Sequence, residues 1–156
     1  MGDSIVELTP DPSSPSMTSA PATRPTGPPA PVELSLPAEN DLLVLARFTV
    51  STLASRLEFD IDEIEDLRLA VDELCLLVLA GRRSGRLLLV FSGEEDRIDV
   101  WCHFDGPDGA AAPDPAEGSG ELSARILDAL VDEHGSTTRD GRVGIHLCKR
   151  RLRVDG

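Results

Sequence analysis

The chain has 156 residues, a length that suggests one domain, and a formal net charge of −13. That charge repels phosphate backbones and argues against direct binding to nucleic acid, whereas a basic protein partner is easier to accommodate. No uninterrupted apolar run approaches the roughly 18 residues of a membrane span. Ile5, Val6 and Leu8 form a cluster too short for a signal peptide, with no basic residue before it, so the cytoplasm is the expected location.

Eight of the 12 prolines lie between Pro10 and Pro31, mixed with Ser, Thr, Ala and Gly. Such a stretch cannot bury enough apolar surface to offset its ordering entropy. Residues 1–31 therefore read as a disordered Pro-rich tail, with Met17 as an alternative start to Met1, and 32–156 as one folded domain. Cys75, Cys102 and Cys148 are widely spaced and form no C-x-x-C pair, so they read as small buried hydrophobes. His103, His134 and His146 lack metal-site spacing, and no metal is expected; His103 and His146 alternate with apolar neighbours, as outward-facing strand residues do. No G-x-S-x-G elbow is present.

In chain order, Val32 to Leu36 alternates as a short strand that Pro37 ends. Leu42, Leu45, Ala46, Thr49, Leu53 and Leu57 then recur at helical spacing, predicting a helix over about 39–57. Asp60 is an N-cap with Glu63 completing a capping box, and Ile64, Leu67, Val71, Leu74, Cys75 and Val78 form the apolar face of a second helix that stops near Gly81. Arg86 to Phe91 and Arg97 to Phe104 flank a turn and read as an antiparallel hairpin, with Ile98, Val100 and Cys102 on one face and Asp99, Trp101 and His103 on the other. Asp105 to Gly120 has no periodicity, and a loop of that length in a small domain is usually functional or disordered. Glu121 to Val131 is a third helix, and Thr137–Arg139 with Val143–Cys148, joined by Asp140-Gly141, is a final hairpin. Helices grouped beside antiparallel hairpins indicate an α+β two-layer sandwich, one sheet covered on one face by about three helices.

The second helix carries the most specific segment, DLRLAVDELC at 66–75. Two adjacent carboxylates, Asp72 and Glu73, sit in its apolar second half, where burial is costly unless they face a cleft or a ligand. Asp72 reads as helix surface; Glu73 is the candidate for chemistry.

This segment, the element order and the long loop before the third helix resemble the GHKL (Bergerat-fold, histidine-kinase-like) ATPases. Within these the chain is most similar to the RsbW and SpoIIAB anti-sigma factor serine kinases, and its DLRLAVDELC segment resembles the actinobacterial, UsfX-like version. The resemblance covers about Val32 to Lys149. It implies a mixed, mainly antiparallel sheet, ATP and Mg²⁺ as cofactors, serine/threonine kinase activity, homodimerisation, and two protein partners: an alternative sigma factor and a STAS-domain anti-anti-sigma factor. Within the family's E-x-x-x-N motif, Glu73 matches the general base, but Leu77 stands where the Mg²⁺-ligating Asn would be, and leucine offers no oxygen to a hard cation. The D-x-G-x-G motif that recognises adenine falls on HFDGPDG: either Asp105 is the Asp, which puts Pro107 on the next Gly, or Gly106 is the Gly, which puts Phe104 on the Asp. Gly109 belongs to the same stretch. The phosphate-cradling G-x-G falls on Glu121, Leu122 and Ser123, with Gly118 and Gly120 as a displaced remnant just upstream. Arg47, in LARFTV, matches an Arg that contacts both protein partners. The resemblance thus implies an anti-sigma factor whose nucleotide site has eroded, with an active kinase as the alternative.

Overall fold

The computed structural model describes residue 2, residues 30–107 and residues 119–153. The Pro-rich tail up to residue 29 and most of the long loop, including Gly109 and Gly118, lie outside the described residues. Strands β1 (Val32–Pro37), β2 (Arg86–Glu94), β3 (Arg97–Asp105), β4 (Glu133–Arg139) and β5 (Arg142–Arg150) form one sheet in the order β1-β2-β3-β5-β4. The family resemblance implies a mixed sheet; every pairing is in fact antiparallel. Two pairings are tight hairpins, and between β1 and β2 the two helices α1 (Leu43–Arg56) and α2 (Ile61–Leu79) carry the chain out and back. With α3 (Ser119–Leu130) they make the second layer of an α+β sandwich. No helix among the described residues is long and apolar enough to cross a membrane.

The first helix is preceded by a 3-10 turn over Asn40–Leu42, so the regular helix starts later than periodicity alone indicates. Strand β4 starts earlier than expected, at Glu133 rather than Thr137. Its sequence EHGSTTR has no apolar alternation to mark it; main-chain pairing to β5, from Glu133 opposite Cys148 onward, makes it a strand. The core lies between the layers. Leu87, Leu89 and Phe91 of β2 and Ile98, Val100, Cys102 and Phe104 of β3 meet Leu67, Ala70, Val71, Leu74, Cys75 and Val78 of α2 in one apolar cluster. All three cysteines are free and buried. A thiol closed off from solvent is a small hydrophobe, and burial pushes the Cys148 thiol up to about 11.

Helix α2 is fixed at both ends. The Asp60 carboxylate accepts from the Glu63 amide at 2.8 Å, and Glu63 Oε2 accepts from the Asp60 amide at 2.8 Å, which completes the capping box. The other Glu63 oxygen accepts from the Leu152 amide at 2.6 Å, tying the C-terminal segment to the start of α2. At the far end Ala80 and Gly81 turn into the left-handed region, and Arg82 Nη1 donates to the Val78 carbonyl at 3.4 Å, as suits a cation at a helix C-terminus. The basic run at 149–153 is fastened to the body. Lys149, the only lysine, donates to Asp66 on α2 at 3.0 Å and to the last carbonyl of α3, Leu130, at 2.8 Å. Arg151 donates to the Leu57 carbonyl at 3.0 Å.

Replacing Glu63 by Ala removes a cap and leaves the Leu152 amide without its acceptor. The expected loss is about 2–3 kcal/mol, with a smaller loss for Glu63→Gln, measured by urea unfolding. Denaturation should also be required before the three thiols react with a chromogenic disulfide at pH near 8, because the native thiols are buried and Cys148 ionises only toward about 11.

Candidate functional site

Successive residues of a helix point about 100° apart, so the adjacent carboxylates of α2 diverge. Asp72 turns toward α1, where its Oδ1 lies 3.1 Å from Arg47 Nε. That nitrogen is buried without an aligned hydrogen bond, so the contact is ionic only. Burial holds the Asp72 carboxyl above its ordinary range; Arg47 and Arg68 oppose this, and the neighbouring Glu73 adds to it. Asp72 is therefore a partly buried helix-packing residue and not the plain surface acid that its sequence context indicates. The Arg47 side chain is 38 % exposed, and an ion pair so accessible contributes about 1 kcal/mol or less.

Glu73 turns the other way, toward α3. Its Oε1 accepts a 2.5 Å hydrogen bond from the Ser123 hydroxyl, and Ser123 is buried. The two residues are 50 positions apart, and only the docking of α3 on α2 brings them together. The sequence offered no signal for this pair beyond the register that places Ser123 in a motif position. Chemically, a carboxylate accepting from a serine hydroxyl is the contact that a general base makes with a nucleophile, and it is also a plain interhelical tie.

Leu77, one helical turn beyond Glu73, is 7 % exposed and belongs to the hydrophobic core. Where the resemblance implies a Mg²⁺ ligand, the chain presents a packed hydrocarbon. No cluster of three or more His, Cys, Asp or Glu suited to a metal occurs among the described residues. The residues at this position do not fit the cation.

At the end of β3 the alternation of the strand separates the two motif alignments. Phe104 faces the helices and is buried, whereas Asp105 is exposed on the strand's opposite side. The Phe104 ring is boxed in. Arg82 lies over it with its guanidinium carbon 4.8 Å from the ring centroid. A Cβ at Gly85 would sit 2.7 Å from the ring, and one at Gly106 would sit 2.6 Å from it. Gly106 therefore has a packing reason to be glycine. Gly120 lies in the first turn of α3, which starts at Ser119, two residues before the expected Glu121. A cavity of about 480 Å³ lined by Glu39, Asn40, Asp41, Leu76, Leu79 and Arg83, among others, opens at the α1 side of the end of α2 and does not include Glu73.

The fold is that of an α+β sandwich consistent with a GHKL-like ATPase domain, and its most specific helix carries an internally bonded glutamate and a hydrophobic neighbour one turn on. The chain resembles the RsbW serine-protein kinases, an anti-sigma factor family. It is 36 % identical over 74 residues to serine-protein kinase RsbW of Halalkalibacterium halodurans, covering 46 % of each protein. It is 34 % identical over 79 residues to RsbW of Bacillus subtilis (48 % of this chain, 49 % of the relative) and 28 % identical over 78 residues to RsbW of Bacillus cereus strain B4264 (48 % and 49 %). The chain thus spans about half the length of the curated relatives it matches. No family model matches it.

Ser123→Ala should cost about 1–2 kcal/mol in urea unfolding, the loss of one charge-assisted hydrogen bond at a half-buried carboxylate. Ser123→Thr, which keeps the hydroxyl, should recover part of that loss.

Proposed function

We propose that this chain is an anti-sigma regulatory factor of the cytoplasm. It binds and sequesters an alternative sigma factor, is relieved by a STAS-domain anti-anti-sigma partner, and acts as a homodimer with an eroded nucleotide site. The observation that carries this reading is the fate of the α2 positions: Leu77 is packed into the core and Glu73 is tied to Ser123. Phosphoryl transfer is mostly positioning and charge neutralisation, and a buried leucine supplies neither. The exposed Leu45 and Phe48 that flank Arg47 on α1 support a protein-binding role for that helix.

Two measurements test the reading. Titration calorimetry with ATP should give the same weak or null heat with and without Mg²⁺; tight Mg²⁺-dependent binding would overturn it. Tagged chain purified from native cells should retain a sigma factor, and Arg47→Ala should reduce the recovered amount about tenfold or more, the effect of losing one interfacial charge contact. Recovery of no sigma factor where both proteins are expressed counts against it.

One observation favours the second reading, an active serine kinase: Glu73 Oε1 already accepts a hydrogen bond from a serine hydroxyl, that of Ser123, at 2.5 Å. Transfer of labelled phosphate from ATP to a STAS-domain protein, lost in Glu73→Gln, would establish that activity in place of the first reading.

A further inference from the structure

The sheet face turned away from the helices holds a concave site that neither reading uses. A cavity of about 280 Å³ opens there, walled by Val90, Ser92, Trp101, Thr137, Arg139 and His146, among others. Its aromatic side is rigid. The Trp101 ring stacks parallel to His103 with centroids 5.6 Å apart and planes within 3°, and its Nε1 lies 3.5 Å from the Thr137 carbonyl. Gly144 permits this placement, since a Cβ there would lie 2.7 Å from the indole. His103 is the outward-facing strand residue that alternation predicts, yet this stack and a 2.7 Å bond from its Nδ1 to the Val143 carbonyl leave it buried. His146 is oriented by a 3.0 Å bond from Nδ1 to the Gly135 carbonyl.

The charges at this site are uneven. Asp99, the one acid on its wall, is neutralised by a two-pronged contact from Arg97 at 2.8 and 2.5 Å. Arg139 has no ion pair or side-chain hydrogen bond among the described residues, and the residue directly opposite it across the β4–β5 ladder is a second arginine without one, Arg142. Like charges directly opposite on a ladder are destabilising. Asp140 stands between the two in the turn, yet no ion pair joins it to either arginine among the described residues. The 6 % of Trp101 left exposed, Ser92, Thr137 and an arginine without an ion pair among the described residues line one small cavity.

We propose that this cavity binds a small molecule with a single flat aromatic ring and a carboxylate, the ring lying against Trp101 and Val90 and the carboxylate meeting Arg139. The volume is near the lower end of ligand pockets, about 300–1,000 Å³, which suits one ring and not a nucleotide. Trp101 is the only tryptophan, so its indole N–H gives a unique resonance in an amide correlation spectrum of the full chain. Titration with benzoate should shift that resonance saturably in the millimolar range, while benzylamine, of the same shape and opposite charge, should not. Arg139→Ala changes an exposed hairpin residue and should keep the fold, checked by the dispersion of the same spectrum. It should weaken benzoate binding about tenfold or more, the effect of one charge-assisted contact. No saturable shift with benzoate, an equal response to benzylamine, or undiminished binding in Arg139→Ala would overturn the proposal.

Discussion

The buried carboxylate of Glu63 is the interaction on which the rest of the structure depends. It closes the capping box that starts α2 and accepts the Leu152 amide that anchors the end of the described chain. A carboxylate with 4 % exposure is tolerable only because both oxygens are occupied by amides aimed at them. With that end fixed, α2 lies along the sheet as the central element of the helical layer, and α1 and α3 pack on either side of it. Every candidate site residue on the helices is positioned relative to α2.

The consequence for chemistry lies in how α2 uses its adjacent acids. Asp72 is used in packing against α1 through Arg47, and Glu73 in packing against α3 through Ser123. A glutamate whose hydrogen-bonding capacity is partly taken by a neighbouring helix is a structural tie first, and it can act as a base only if that tie is exchanged. Leu77 contributes to the core and to no polar site. The Ser123 bond and the packed leucine each stabilise the helical layer whether or not a nucleotide is present. Lys149 reinforces the same layer from β5 by holding Asp66 of α2 and the C-terminal carbonyl of α3 together.

Much of the fold was legible because its signals are local. The Asp60–Glu63 box, the stop at Gly81 and the alternation of Arg97 to Phe104 each depend on neighbours within a few residues, and each stands where the sequence indicates. The misjudged features depend on distant partners. Strand β4 is polar and is made a strand by pairing with β5. Asp72 reads as surface until α1 brings Arg47 to it. His103 alternates outward as predicted, yet it is buried by Trp101 and by the backbone of β5.

The sequence by itself determined the α+β class, the ends of α2 and the presence of a glutamate followed four residues later by a leucine, because capping, periodicity and residue identity are properties of short segments. Only the tertiary structure decided what those residues touch. Glu73 meets Ser123 across 50 residues, Asp72 meets Arg47 across the α1–α2 contact, and Arg139 and Arg142 are set side by side on the open sheet face. The physical reason is that helix docking and strand register fix such contacts, and both are set by burial of the whole core rather than by any one segment.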